Sequence, residues 1–236
     1  CYERFEIIRV SLSVKTLHKS KMSFLFFFTI YFLLIWLLWE TPIIYPIKIF
    51  VVFLHEISHG LMASATGGRI DQIILIPQQG GSCYCPGGNA FLTLSAGYLG
   101  SMAWGVLLVA ASRYRRIDPR HLTILLSTIV IVLTAAYLKN LFSIVFGILF
   151  GLSLLFVAME FSRYQNQKLQ LILGLTSCLY AILDIKSDIL DRPTLRSDAT
   201  MLHDLTGIPP VFWGFLWVTI AIFTCIHLIR WLYKDS

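Results

Sequence analysis

The chain is poor in charged residues. Charged side chains make up 14% of its 236 residues, whereas 57% of the residues are hydrophobic. A soluble domain of this size does not need so apolar a composition, so the sequence predicts an integral, multi-pass membrane protein. The net charge of +6 would favour nucleic-acid binding in a soluble chain. Here the basic residues fall in short clusters between apolar runs, where the lipid bilayer accounts for them, so no nucleic-acid partner is expected.

Cysteine is also scarce, and the five cysteines of the chain form no disulfide framework. Cys178 and Cys225 lie in apolar runs, where cysteine behaves as a small core residue. Cys83 and Cys85 are close enough in sequence to suggest a second metal site, but no third ligand lies near them in the sequence. We therefore expect no metal site at these two cysteines.

Apolar runs long enough to cross a bilayer follow one another along most of the chain. We predict an all-α polytopic membrane protein with about seven transmembrane helices and a short β-hairpin-like segment after the second helix. Residues 1–22 are interpreted as a basic N-terminal segment that need not be native, and residues 23–236 as one integral membrane domain. The predicted helices cover about 23–39, 43–65, 90–112, 121–138, 141–161, 169–190 and 211–232.

The hairpin prediction depends on residues 66–89, which differ in composition from the helices. Residues 69–77 favour a strand, 78–82 a turn and 83–85 a returning strand. Non-helical backbone at membrane depth must be covered by protein or water. A strand edge beside a metal site can receive an extended peptide by β-addition, so the 69–85 hairpin is a candidate substrate-binding element. A plain glycine-rich loop is the alternative structure for this segment.

The most informative motif is HEISHG at residues 55–60, within the second apolar run. On a helix, the four-residue spacing of His55 and His59 brings both imidazoles to one face, where they can bind one ion. Histidine nitrogen is a good zinc ligand, and Glu56 beside the first ligand can act as the general base. Such residues are costly at membrane depth unless they pair, bind an ion or line a wet cavity. We therefore predict zinc bound by His55 and His59, with Glu56 catalytic; the alternative is that neighbouring helices satisfy these polar groups.

A catalytic zinc site usually has three protein ligands, so a third must come from another helix. Asp184 is the first candidate because it lies in the apolar sixth helix, which runs parallel to the second and ends at the same membrane face. Asp188, one turn later, is the alternative ligand or a partner of the ligands. Asn140, at a break between apolar runs, is a candidate substrate contact or a turn former. Residues 191–210 are predicted to be a polar loop. This loop contains Asp198, His203 and Asp204.

Together these motifs resemble the site-2 protease family of intramembrane zinc metalloproteases, and most closely its peptidase M50B-like branch. The resemblance covers about residues 45–220. It implies a helical metalloprotease core, zinc at the two motif histidines, Glu56 as the general base and cleavage of a membrane-embedded substrate. The matching stretches are FLHEISHGLMASATGG, SAGYLGS, LYAILDIKSD and SDATMLHDLTGIP, followed by a last helix that contains tryptophan.

One motif of the better-known family members is missing. Those members have an asparagine and prolines followed by Leu-Asp-Gly, whose aspartate is the third zinc ligand. The nearest match here, residues 140–147, has neither the prolines nor the aspartate. The third ligand is therefore expected at Asp184 or, as the alternative, at Asp188; otherwise the site is incomplete.

Two functions follow from these observations. The first is a zinc-dependent intramembrane endopeptidase that cleaves membrane-embedded protein substrates with a zinc-activated water. The second, which the missing aspartate motivates, is a non-proteolytic membrane protein that keeps the fold, with or without the metal, for structure or partner binding. The glutamate of the motif favours the first function, because a structural zinc site does not need it.

Overall fold

The computed structural model describes residues 26, 28–39, 41–78, 80–114, 116–186 and 196–234. The predicted basic segment 1–22 therefore lies outside the described residues. The elements, in chain order, are α1 (Phe28–Leu38), α2 (Tyr45–Ala65), β1 (Gln72–Ile76), β2 (Gly80–Tyr84), α3 (Ala90–Arg113), α4 (Pro119–Tyr137), α5 (Leu141–Glu160), α6 (Arg163–Lys186), α7 (Asp198–Thr206) and α8 (Pro210–Lys234).

Six of these helices, namely α2, α3, α4, α5, α6 and α8, are long and apolar enough to cross a membrane. The helix α1 is apolar but shorter. The protein is an integral multi-pass membrane protein, and the predicted helical fold with a hairpin after the second helix is confirmed. Where about seven transmembrane helices are predicted, the described residues contain six candidate spans and α1.

The centre of the bundle is formed by α2 and α6, and α3 packs against both. Side chains of α2 such as Phe50 and Val51 are fully buried. The helices α4 and α5 pack on each other at the periphery of the bundle. The rest of the protein covers only a small part of their surface. Exposed apolar side chains there and on α8, such as Leu149 and Phe215, are suited to contact lipid.

Glycine allows α3 and α6 to approach closely. A Cβ atom at Gly105 would lie 2.6 Å from the carbonyl oxygen of Gly174, and a Cβ at Gly174 would lie 2.7 Å from that of Gly105. Beside this contact, the Ser177 hydroxyl donates a hydrogen bond to the Ser101 carbonyl at 2.7 Å. In lipid, such small residues and interhelical hydrogen bonds drive helix association.

The hairpin after α2 is present, and its two strands are antiparallel. Ile73 lies opposite Cys83, and Ile76 lies opposite Gly80. The second strand starts at Gly80, inside the predicted turn. The chain therefore reverses within a shorter turn than the glycine content indicates. A disulfide joins Cys83 to Cys85, a pairing that the cysteine spacing did not predict.

The connection between α4 and α5 holds the outer edge of β1. Leu138 forms a parallel bridge with Ile73. The Leu75 N–H donates to Ser143 Oγ at 2.7 Å, and the Leu75 carbonyl accepts from Asn140 Nδ2 at 2.8 Å. The non-helical backbone of β1 is thus satisfied by protein, as membrane depth requires.

The sixth helix begins at Arg163, earlier than the predicted start near residue 169. The polar residues at the start of α6 cap the ends of helices and do not form a loop. Asn166 Nδ2 donates to the carbonyl groups of Val157, Phe161 and Ser162 at 3.1–3.2 Å. It therefore supplies a side-chain donor to carbonyl groups at the end of α5, where the helix itself provides too few N–H donors.

We expect Gly105→Leu to destabilise the bundle by about 1–3 kcal/mol, because the new side chain has no space between α3 and α6. A Cβ atom there would lie 2.5 Å from Cys178 Sγ. Thermal unfolding in detergent measures the effect. The control is Leu107→Ala on the same helix, where the side chain is 59% exposed and a smaller change is expected. An unchanged midpoint in Gly105→Leu would contradict the close packing.

Candidate metal centre

The motif at residues 55–60 lies in the C-terminal half of α2. The helix ends before Gly67, whose φ of +96° is rare for residues with a side chain. His55, Glu56 and His59 are each less than one-tenth exposed. Because buried polar groups are costly without partners, other elements must supply partners for these three side chains.

The first partner element is α3, which packs on the motif through glycine. A Cβ atom at Gly97 would lie 2.5 Å from His55 Cε1 and 2.6 Å from His59 Cε1. At Gly100, about one turn later, a Cβ atom would overlap the Ser58 side chain. The two imidazoles therefore lie directly against the backbone of α3, with their ring centres 4.7 Å apart.

The second partner element is the short helix α7, which packs against α3 and α8. Ser197 and Thr200 form a capping box at its start, where the Ser197 N–H donates to Thr200 Oγ1 at 2.8 Å and Ser197 Oγ accepts from the Thr200 N–H at 3.4 Å. Gly207, with a φ of +75°, ends the helix. These caps place Asp198 at the first position of α7.

The Asp198 carboxylate lies against both histidines. Its Oδ2 atom is 3.0 Å from His55 Nε2 and 3.3 Å from His59 Nε2. Burial would raise the pKa of the Asp198 carboxyl, but the two histidines outweigh burial and hold the pKa below its usual range. The site therefore directs a carboxylate anion and two imidazole nitrogens toward a common point. The possible ligand atoms of these three residues all lie within 4.8 Å of one another.

The second ring nitrogen of His59 is held by α3. His59 Nδ1 lies 2.7 Å from the carbonyl oxygen of Thr93. Since a carbonyl oxygen can only accept, a neutral His59 ring has its proton on Nδ1 and a free electron pair on Nε2. This arrangement is typical of metal-ligating histidines, whose second nitrogen bonds to a carbonyl, carboxylate or water.

Glu56 lies against the hairpin. A Cβ atom at Gly81 would lie 2.8 Å from Glu56 Oε1, so the absence of a side chain in β2 makes room for the carboxylate. The carboxylate also interacts with the backbone of Cys83. Glu56 is therefore adjacent to both motif histidines along α2 and to the second strand of the hairpin.

The other predicted site residues lie elsewhere. Asp184 is in the last turn of α6, where its Oδ2 accepts a hydrogen bond from the Tyr98 hydroxyl at 3.2 Å, and it does not belong to the cluster of possible ligand atoms. Asp188, the alternative ligand, lies outside the described residues. Asn140 donates to the Leu75 carbonyl at 2.8 Å and thereby supports β1. Its contact with a substrate stays a prediction.

The prediction of a polar loop over 191–210 is wrong for residues 198–206, which form α7. The helix has only nine residues, and no apolar run reveals it. The available signals were local: Ser197 precedes Thr200 by three residues, and Gly207 follows the last helical residue. His203 and Asp204 are exposed within α7, whereas Asp198 at its start is buried. Asp198 therefore cannot be located from apolar patterns, and only these caps indicate that it begins a helix.

The residues present fit a zinc ion. Two imidazole nitrogens and one carboxylate oxygen are a common ligand set for catalytic zinc, and they leave a fourth position open. Gly97 gives the two rings the space to converge, and Thr93 orients one of them. Among the described residues, His55, His59 and Asp198 form the group of three His, Cys, Asp or Glu side chains whose ligand atoms are close enough together to hold one metal ion.

Comparison with known proteins identifies a family whose model matches most of the chain. The model of the family described as Peptidase M50B-like matches residues 28–228. The match extends from α1 into α8 and includes the motif histidines, Glu56 and Asp198. No curated protein and no solved structure matches the chain significantly.

Gly97→Ala is expected to reduce zinc affinity by about 10- to 100-fold, because its Cβ atom would overlap both imidazoles and disturb their orientation. Competition with a zinc chelator on the purified protein measures the affinity. The control is Leu99→Ala on the same helix, whose side chain is 36% exposed and lies outside the cluster. Equal affinity in Gly97→Ala and Leu99→Ala would show that this close contact does not position the rings.

Proposed function

Because the chain belongs to the Peptidase M50B-like family, we propose that it is a zinc-dependent intramembrane endopeptidase that cleaves membrane-embedded protein substrates. The main support is the approach of Asp198 Oδ2 to both motif histidines, at 3.0 and 3.3 Å. A buried carboxylate at this position supplies the third ligand that two histidines need to form a catalytic zinc site.

In this proposal, His55 Nε2, His59 Nε2 and Asp198 Oδ2 hold the metal. Asp198 thus takes the role that the sequence predicted for Asp184. All three side chains are buried, so water does not compete strongly for their ligand atoms. When bound, zinc would polarise the scissile carbonyl group and lower the pKa of water.

Glu56 is the general base in this mechanism. It accepts a proton from the attacking water and then donates this proton to the leaving amine. Its support is its place between the two ligands on α2 and its burial, with 6% of the residue exposed. In such a site, water is restricted and a carboxylate that faces the attacking water is an effective proton acceptor.

The edge of β2 that faces away from β1 is the proposed substrate-binding element. Leu75 directs its N–H and carbonyl away from β2, toward side chains at the start of α5. Opposite residues of an antiparallel pair alternate between bonding each other and both facing outward. Gly81 lies opposite Leu75, and Cys83 lies opposite Ile73 two positions earlier. Gly81 and Cys83 therefore direct their backbone groups to the outer edge of β2, where the Cys83 backbone contacts the Glu56 carboxylate.

An extended substrate segment can bond to this edge. Among the described residues, no other strand pairs with β2. A transmembrane helix resists hydrolysis because its carbonyl groups are already hydrogen-bonded. Strand addition would hold an unwound segment next to Glu56 and present one peptide bond to the metal centre.

Glu56→Gln is expected to abolish cleavage and to retain zinc, because the amide cannot accept the proton and the residue is not a ligand. Asp198→Ala is expected to lose both zinc and cleavage. Zinc content and hydrolysis of single-span peptides in liposomes are the measurements. Full cleavage by Glu56→Gln would remove Glu56 from the mechanism. A wild-type protein without zinc would favour the non-proteolytic alternative.

Strand addition predicts a period of two along the substrate. In a peptide that the wild type cleaves, N-methylation of successive amides near the scissile bond should reduce cleavage at every second position. The expected reduction is about tenfold, from the loss of one backbone hydrogen bond. Hydrolysis rates of the methylated series test this expectation. A uniform effect along the series would argue against pairing with β2.

A further inference from the structure

The two histidines of the cluster are oriented differently. His59 has a carbonyl partner for Nδ1, at 2.7 Å. His55 Nδ1 is buried, and no described residue forms a hydrogen bond with it. A ligating histidine normally uses this second nitrogen to fix the orientation of its ring. Beside the Asp198 contact at Nε2 and the close backbone of Gly97, another interaction can therefore help to fix the orientation of the His55 ring.

Aromatic packing supplies that interaction. The Tyr98 ring lies 4.7 Å from the His55 ring at an interplanar angle of 82°, and the Tyr180 ring lies 5.8 Å away at 72°. The two tyrosine rings are nearly parallel, with an angle of 27° between them. The imidazole is thus roughly perpendicular to both rings, in the edge-to-face geometry that aromatic pairs prefer. A rotation of the Tyr98 ring would change the space in which the imidazole lies.

Tyr98 itself is held at its hydroxyl. This residue is 2% exposed, and Trp217 packs on it with ring centres 4.8 Å apart. The hydroxyl donates to Asp184 Oδ2 at 3.2 Å, and Asp184 is 8% exposed. A buried carboxylate is costly without hydrogen bonds, so this contact constrains both partners.

We propose that Asp184 is a positioning residue, which fixes the orientation of the ligand His55 through the hydroxyl and ring of Tyr98. The inference rests on the proposed function, since its consequence is the affinity of the site for zinc. It gives the carboxylate of α6 a role at the site without direct contact to the metal. The line of contacts runs from the last turn of α6, through α3, to α2.

The test compares variants of the full chain in detergent by competition with a zinc chelator. Asp184→Asn keeps an oxygen that accepts from Tyr98, and we expect its zinc affinity to stay within about threefold of the wild type. Asp184→Leu and Tyr98→Phe both break the contact, and each should weaken zinc binding by about 10- to 100-fold. Because both changes act through one contact, their effects on zinc affinity should not add. The double variant should bind zinc no more weakly than the single variant with the lower zinc affinity.

A control separates positioning from general destabilisation. Leu183→Ala removes a side chain next to Asp184 in the sequence that is 6% exposed. It should lower the thermal stability without changing the zinc affinity. The retained zinc affinity of Asp184→Asn is a second control, because replacing a carboxylate ligand by an amide would weaken zinc binding.

A readout without metal allows failure of the inference to be distinguished from failure of the proposed function. The His55 Cε1–H resonance in metal-free protein labelled at histidine reports the position of the ring relative to Tyr98. It should shift in Asp184→Leu and stay near the wild-type position in Asp184→Asn. Zinc loss in Asp184→Asn equal to that in Asp198→Asn would make Asp184 a ligand and overturn the inference. Unchanged zinc affinity and resonance in Asp184→Leu would also overturn it, whereas absence of zinc in the wild type alone would overturn the proposed function.

Discussion

Burial of two imidazoles and a carboxylate inside one membrane helix is the constraint on which the rest of this structure depends. Such groups cannot remain unpaired at membrane depth. Each is met by a different element: Asp198 of α7 contacts both histidines, the Thr93 carbonyl of α3 contacts His59, and the backbone of β2 contacts Glu56. The candidate metal centre therefore forms only when the bundle, the hairpin and the short helix are assembled together.

Glycine makes this assembly possible at two sides of the motif. Gly97 brings the backbone of α3 against the imidazoles, and Gly81 brings β2 against Glu56. In lipid, apolar side chains gain little from contact with each other, so close backbone approach and hydrogen bonds determine how helices pack. The proposed ligands and the proposed base are thus positioned by rigid main chain, which is the condition for a well-defined catalytic geometry.

The sequence predicted those parts of the structure that depend on local patterns. Apolar runs located the spans, and the spacing of His55 and His59 identified the motif, because both features are properties of one helix. Asp198 required knowledge of which distant elements meet, and α7 is too short and polar to be recognised by an apolar run. Asp184 was predicted as a ligand because its helix runs parallel to α2 and ends at the same membrane face. The direction of a helix identifies that face and nothing more. The neighbours of a side chain on that face depend on packing, which placed Tyr98 beside Asp184.

The positions of the two aspartates within their helices agree with the different roles proposed for them. The N-terminus of a helix stabilises negative charge and the C-terminus destabilises it, by about 0.3–1 kcal/mol at exposed positions and more when partly buried. Asp198 is the first residue of α7, so the helix favours its ionised form, which a metal ligand needs. Asp184 lies far from the N-terminus of α6, so its helix gives its charge no comparable stabilisation. A hydroxyl donor such as that of Tyr98 compensates for this, so a carboxylate at that position is suited to hold a neighbour in place.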